Sequence, residues 1–397
     1  MIPKREILDI ATQTNLLPHV VEKDYVLGWL LAGINQHPAL REAWVFKGGT
    51  CLKKCYFETY RFSEDLDFTL RDAAHINEEF LRNAFTEIAS WVYDNSGIEI
   101  PTDRLLFEVF KNPRGINCCQ GRVYYRGPAT AAGNQSMPKI KIDLTPDEVV
   151  VDIPVLAQVK HGYSDNPGVI NIQSYSYVEV FAEKIRALKE RTRPRDLYDV
   201  INFFRRPESL TLAKQVRDVL KQKCIYKDVS FPLHSDLEAH KEACASGWRE
   251  QLGHQLPALP PFDSFWNELA AFFVWLEHPE KIAAIAMATI PLAKDEISHV
   301  SIWRRGAGTN MLDLVRFAAV NRLRVEIDYR KENGVRQTYL IEPYSLRAKA
   351  ENLILYGVKL PTDETRSFRI DRILGARVTE QAFTPRYSIE FIPDSRS

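Results

Sequence analysis

Residues 44–70 constrain the fold more than any other stretch of the chain. Trp44-Val45-Phe46 is a short apolar run suited to a buried strand. It passes through Lys47-Gly48-Gly49-Thr50 into a helical start, Cys51-Leu-Lys-Lys-Cys-Tyr-Phe57. From Glu64 to Leu70 the pattern alternates, with Leu66, Phe68 and Leu70 on one face and Asp65, Asp67 and Thr69 on the other. Lys139 to Leu144 does the same, setting Ile140, Ile142 and Leu144 against Lys139, Lys141 and Asp143. Helical spacing flanks these strands: Ile7, Ile10 and Ala11, then Val26, Leu27, Leu30 and Leu31 before them, and residues 178–191 after. Strands and helices therefore alternate, and the expected class is α+β.

The second half changes character twice. Residues 206–295 read as a helical lobe, broken at Leu256-Pro-Ala-Leu-Pro-Pro261, and 296–311 read as a linker. After a short helix, MLDLVRFAAVNR, Val325, Ile327 and Tyr329 alternate with Glu326, Asp328 and Arg330. Asn333-Gly334 signals a type I′ hairpin, and further strands are expected at Thr338–Ile341, Leu353–Val358 and Arg366–Ile373. The expected division is a first lobe over 1–205, a helical lobe over 206–295, the linker, and a small β-barrel or sheet over 312–390.

Composition narrows the class further. The 397 residues are 45% hydrophobic, with 52 basic against 52 acidic residues, which excludes a disordered or low-complexity chain. Residues 301–397 are more basic, with 17 lysines and arginines, 14 of them arginine, against 12 acids. That end favours anionic partners. The first ten residues lack the apolar core of a signal peptide, and the run Leu269–Leu292 is interrupted by charges, so a soluble cytoplasmic protein is expected. Six cysteines without a C-x-x-C pair read as free thiols rather than a zinc site.

The chemistry concentrates around the two glycines. A strand turning through Gly48-Gly49 into a helix brings backbone N–H groups close to phosphate oxygens, and Thr50 is placed to cap the helix and donate its hydroxyl. Asp65 and Asp67 share one strand face, about 6–7 Å apart along it, a spacing that suits a shared hard cation such as Mg²⁺. Aspartates two apart are usually just a strand's solvated face; their place after the glycine turn argues otherwise. Asp143 is a third carboxylate on a polar strand face, and pairing of the two strands would make three converge, as a two-metal phosphoryl or nucleotidyl transfer requires. Lys184 falls on the helical stripe of Phe181 and Leu188, where a lysine either snorkels to water or neutralises an anion. Asp196 and Asp199, one turn apart, read otherwise as caps or salt-bridge partners of Arg193 or Arg195.

In order, VEKDYVL (21–27), FKGGTCL, RFSEDLDF, KIDL and FAEKIRAL…RDLYD resemble the AbiEii/MenT-like nucleotidyltransferase toxins. That resemblance implies a polymerase-β-like fold with the signature G-G-S/T followed by D-x-D. It implies that Lys47, Gly48, Gly49, Thr50, Arg61, Ser63 and Lys141 bind the nucleotide. It further implies that Asp65, Asp67 and Asp143 hold Mg²⁺ (or Mn²⁺), with Asp143 a candidate general base. By the same resemblance Lys184 would contact phosphates, and Asp196 or Asp199 would complete the site. The implied activity is transfer of a nucleotide from an NTP to an RNA acceptor, the tRNA 3′ end in family terms, in a toxin–antitoxin or phage-defence system with a cognate antitoxin.

Residues 312–386 resemble a WYL domain through Val325-Glu-Ile-Asp-Tyr329, Ile341-Glu-Pro-Tyr344, Asn352-Leu-Ile-Leu-Tyr-Gly357 and Arg366-Ser-Phe-Arg-Ile-Asp-Arg-Ile373. The implied fold is a small Sm/SH3-like β-barrel that binds nucleotide or nucleic-acid ligands. Leu353-Ile354-Leu355 stands at the namesake Trp-Tyr-Leu. Tyr329, Arg347, Arg366, Arg369 and Arg372 are the candidate anion-binding face; the alternative is that these arginines form salt bridges with Asp328 and Asp371. Two rival functions are a transferase that modifies a protein side chain and a non-catalytic WYL-type ligand-binding regulator. The intact Asp65, Asp67, Asp143 and Lys184 count against the regulator.

Overall fold

The computed structural model describes residues 1–57, 61–130, 137–278, 292, 309–349 and 352–391, and nearly all of the expected linker over 296–311 lies outside them. The chain forms two compact units: Met1–Arg186 with Asp218–Phe231, and Ala187–Arg217 with Pro232–Ser397. The architecture is mixed α+β, as expected.

The first unit is built on a seven-stranded mixed sheet. Its strands are β1 (Trp44–Lys47), β2 (Asp65–Leu70), β3 (Leu106–Lys111), β4 (Asn117–Tyr124), β5 (Lys139–Thr145), β6 (Val155–Gln158) and β7 (Asn171–Ser174), in the order β3-β4-β5-β2-β1-β7-β6. Strand β1 runs antiparallel to β2, while β2 with β5 and β1 with β7 are parallel. Leu66, Phe68, Ile140, Ile142, Leu144 and Val123 point to one side. There they form a single core with side chains of the helices Lys4–Thr14, Pro18–Gln36 and Glu78–Ser96. The period-two pattern thus puts every apolar residue of β2 and β5 under the helices and leaves the acidic residues on the open face.

The helix Pro18–Gln36 is buried at every residue from Val20 to Ile34 except Lys23, so its polar residues must find internal partners. Asp24 accepts from Lys54 at 2.7 Å and from the Tyr163 hydroxyl at 2.9 Å. Glu22 accepts from the backbone N–H groups of Ala129 and Thr130 at 2.6 and 2.9 Å. Lys23 reaches Glu64, at 2.6 Å. The VEKDYVL run is therefore a scaffold that fixes the approach to β2.

In the second unit, Tyr198 stacks on Phe265 with ring centres 5.2 Å apart and Trp248 packs beside both. Glu268 accepts from Arg205 at 2.8 Å and from Arg322 at 2.5 Å. The C-terminal strands are β8 (Leu323–Arg330), β9 (Arg336–Lys349), β10 (Asn352–Leu360), β11 (Glu364–Arg369) and β12 (Ile373–Ala382), with the helix Thr309–Val320 packed on β8, β9 and β12. They form an antiparallel sheet in the order β11-β10-β9-β8-β12. The expected β-barrel is not closed. A turn at Ile370–Arg372 splits the expected strand 366–373 and sends β12 back to pair with β8, leaving β11 and β12 on opposite edges. The hairpin also differs from the expected type I′, which needs two positive φ angles. Only Gly334 has one (+79°) among the loop residues, and Lys331 N–H closes the loop on the Val335 carbonyl at 2.8 Å.

All six cysteines are free thiols, five buried and Cys55 half-buried. Among the described residues no helix is long and apolar enough to cross a membrane.

Candidate active site

The open face of the first sheet gathers the charged residues that alternation set apart. Across β2 and β5, Asp65 pairs with Lys141 and Asp67 with Asp143. On the other side of β2, Lys47 pairs with Asp67. Asp67 thus stands between a carboxylate and an ammonium. Burial pushes its pKa up, Lys47 pulls it down, and Asp143 and Asp65 raise it again, to about 6. Asp65 is also raised, by burial first, with Lys141 opposing and Asp143 adding. Carboxylates that raise one another's pKa are ones whose charge the fold leaves uncompensated.

The glycine turn lies against this cluster. Gly48 has φ +79°, and a Cβ there would sit 2.0 Å from Asp67 Oδ2. At Gly49 a Cβ would sit 2.7 Å from Arg61 Nη2 and 2.9 Å from Ser63 Oγ. The backbone of the turn therefore reaches Asp67, Arg61 and Ser63 only because both residues are glycine. Thr50 does not cap a helix but lies within one, Gly48–Cys51; its hydroxyl donates to the Asp65 carbonyl at 2.5 Å and ties the turn to β2. We expect Gly48→Ala to destabilise the protein by more than the ~1–3 kcal/mol of a forced left-handed backbone. Gly115→Ala supplies the reference, since Gly115 has φ +78° with nothing within 4 Å of the added methyl. Equal losses of melting temperature in the two variants would show that the Asp67 contact is soft.

Two buried lysines flank the acids. Lys47 lies 3.5 Å from Glu183 and 3.7 Å from Glu148. Burial opposes its charge, but Glu183, Tyr175, Glu148 and Asp67 together hold its pKa above the ordinary lysine value. Lys184, on the helix Tyr177–Arg191, is buried, and its charge lowers the pKa of Asp67.

Sequence reading missed four residues of this arrangement. Gln120, paired in register with Asp143, donates Nε2–H to Asp143 Oδ1 at 3.1 Å. Glu148 takes Lys47, Arg186 and Lys227, at 3.7, 3.4 and 3.4 Å. Glu183, Lys184's neighbour in the chain, would be raised by burial but is held far below the carboxylate range by Lys47, Lys223, Arg186 and Lys184. Lys223 is fully buried, 2.6 Å from Glu179 and 3.4 Å from Glu183.

The remaining expected residues belong to the second unit. Asp196 is buried, and both its oxygens accept from Arg191 at 2.7 and 3.0 Å. Asp199 is fully buried. In the C-terminal sheet Arg347 is buried against Glu390 at 2.5 Å, Arg369 pairs with Asp371 at 2.7 Å, and Arg372 pairs with Glu332 at 2.9 Å. Among the described residues Arg366 alone of the four has no carboxylate at ion-pair distance; its guanidinium lies 5.1 Å from the centre of the Tyr339 ring. Tyr329 packs edge-on against Phe368 and Tyr339.

The donor set at β2 and β5 is all carboxylate oxygen, which fits a hard divalent cation. Among the described residues no three acidic, cysteine or histidine side chains close on a point as a ready-made cage.

A glycine turn thus lies flush against paired carboxylates, with buried Lys47 beside them. The chain belongs to the AbiEii nucleotidyl transferase toxins of type IV toxin–antitoxin systems, whose family model matches residues 29–269, and a WYL domain model matches residues 310–378. Among solved structures it is similar to MenT4, a nucleotidyltransferase toxin of Mycobacterium tuberculosis H37Rv. That likeness has 18% identity and a TM-score of 0.46, and covers 70% of this chain and 93% of that one. It is also similar to the proteasome accessory factor B/C of Arthrobacter aurescens, with 21% identity and a TM-score of 0.19, over 43% of this chain and 29% of that one. No curated protein matches the chain.

Proposed function

We propose that this chain transfers a nucleoside monophosphate from an NTP to the 3′-hydroxyl of an RNA acceptor, tRNA being the acceptor the family suggests. The observation that carries this is Asp67, in register between Asp143 and Lys47 and pressed against Gly48. The turn Gly48–Thr50, with Arg61 and Ser63 beside it, receives the triphosphate through backbone N–H groups and the guanidinium. Lys184 and Lys141 add positive charge where phosphate charge develops. Asp143 takes the proton of the attacking hydroxyl, and Gln120 holds one of its oxygens so that the other faces the nucleophile. The hydroxyl oxygen bonds to the α-phosphorus, the bond from that phosphorus to the bridging oxygen breaks, and pyrophosphate leaves. Asp65 and Asp67, with Asp143, would hold Mg²⁺, which when bound neutralises phosphate charge.

Lys47 acts differently from the expectation of direct nucleotide binding: committed to Glu148 and Glu183, it positions the turn and offsets Asp67. The toxin acts in the cytoplasm and is countered by a cognate antitoxin, and the WYL domain senses a nucleotide or nucleic-acid ligand.

Purified protein incubated with total tRNA, Mg²⁺ and each α-labelled NTP in turn is expected to label RNA with one NTP preferred, and EDTA to remove the label. Label on protein, no label with any α-labelled NTP, or label only when γ-labelled NTPs are used in parallel would overturn the reading.

A further inference from the structure

Past the carboxylates, the open face of the same sheet reverses its charge. On β5, Lys139 and Lys141 lie on the face of Asp143; on β4, Arg122 and Tyr124 lie on the face of Gln120. The register places Arg122 opposite Lys141 and Tyr124 opposite Lys139. The result is a block of three cations and one aromatic ring on two adjacent strands, continuous with Asp143 and with Asp65, which Lys141 faces from its other side.

This block does little for the fold. Like charges directly opposite each other in a sheet are unfavourable, and Arg122 with Lys141 is such a pair. Arg122 has Glu108 at 3.0 Å, an exposed contact. Among the described residues neither Lys139 nor Lys141 has a carboxylate at ion-pair distance, and the Lys139 ammonium lies 5.6 Å from the centre of the Tyr124 ring. Lys141 is exposed and the other three are half-exposed. The strands are held from beneath by Val123, Ile140 and Ile142, all fully buried.

We propose that Arg122, Tyr124 and Lys139 form a track along which a single-stranded RNA acceptor lies as its end enters the site. Successive same-face residues on a strand stand about 6.6–6.8 Å apart. Cations at that step follow a phosphate backbone, and an aromatic ring among them offers a base a stacking surface without regard to sequence. Lys141, at the junction, is shared between the strand and the nucleotide. The proposal rests on the reading of the site as a nucleotidyltransferase with an RNA acceptor.

The test is binding without any NTP, using the full chain and a fluorescein-labelled single-stranded RNA of about 12 nucleotides, within the ~4–16 that such surfaces cover. Arg122→Ala with Lys139→Ala is expected to weaken binding at least about tenfold and to lower the slope of log K against log salt by about 1.4, at ~0.7 per lost phosphate contact. Tyr124→Ala is expected to lose about 5- to 100-fold with the salt slope unchanged, as lost stacking requires. Arg5→Ala, 90% exposed on the first helix, is the control and is expected to bind as wild type. Track variants that bind as wild type, or a wild-type chain that binds no RNA, would overturn the proposal. Because no nucleotide is present, failure of the track with transfer intact leaves the catalytic reading standing. Track-dependent binding without transfer does the reverse.

Discussion

Asp67→Asn is expected to abolish nucleotide transfer and, in metal-free protein at neutral pH, to raise the melting temperature. Both effects follow from one cause. Asp67 is driven up to about 6 by burial and by Asp143 and Asp65, even with Lys47 opposing. Its unfolded value is near 3.8, so the folded state binds this proton more tightly than the unfolded state. The stability it contributes is therefore fully present below pH 3.8 and is lost as pH rises through about 6. Two units at ~1.4 kcal/mol each put the cost of the ionised form on the order of 3 kcal/mol, several degrees for a domain of this size at ~2–4 °C per kcal/mol. The Asn variant escapes that cost above pH 6 and has no advantage near pH 4. Transfer should fall by at least about 10³-fold, since the charge that neutralises the substrate loses its anchor. Mg²⁺ should raise the melting temperature of wild type by mass action and leave the variant unmoved. A variant that transfers at the wild-type rate would remove Asp67 from the chemistry. One that melts lower at pH 7.5 would show that the Lys47 pairing outweighs the acidic repulsion.

How much of this was legible beforehand depends on the range of the interaction. Period-two alternation is local, so the common face of Asp65 and Asp67, and the matching face of Asp143, could be read directly. That Asp67 would meet Asp143, rather than Asp65 meeting it, depends on the β2–β5 register, which no local pattern encodes. Gly48 could be read as a turn glycine, but not as the one residue that fits against Asp67. Thr50 looked like a cap because threonine before a helix commonly is one; the helix instead begins at Gly48, so Thr50 lies within it and its hydroxyl donates to the Asp65 carbonyl of β2. Asn333-Gly334 matched a two-residue turn, and the chain instead takes positive φ at the glycine alone. The sheet stays open because its edge strands β11 and β12 do not pair, and the three-residue turn Ile370–Arg372 that carries the chain between them interrupts an apparently continuous strand. Gln120 carried no signal at all, since a lone glutamine on a strand becomes a partner of Asp143 only through pairing. The family resemblance carried the order of the motifs and none of these contacts.

The buried charges were the least legible, and one of them yields the largest stability effect expected here. Lys223→Met should destabilise the protein by about 3–5 kcal/mol, the cost of breaking a buried pair from one side. Lys223 and Glu179 are both fully inaccessible and 2.6 Å apart, and the same ammonium lies 3.4 Å from Glu183 and donates to the Val149 carbonyl at 3.2 Å. Removing it leaves Glu179 with the backbone N–H groups of Val151 and Asp152, at 3.2 and 2.9 Å, but with no neutralising charge from the lysine. In sequence, Lys223 sits in a lysine-rich helix and looks like one more solvated charge. The loss should appear as a fall of roughly 6–20 °C in melting temperature, at ~2–4 °C per kcal/mol. Glu179→Gln combined with Lys223→Met should recover at least half of it, because a neutral amide in place of the carboxylate no longer needs a counter-charge. A loss under about 1 kcal/mol in the single variant, the range of an exposed ion pair, would mean that water reaches Glu179. A double variant no more stable than the single one would place the stabilisation in the bond to Val149 instead.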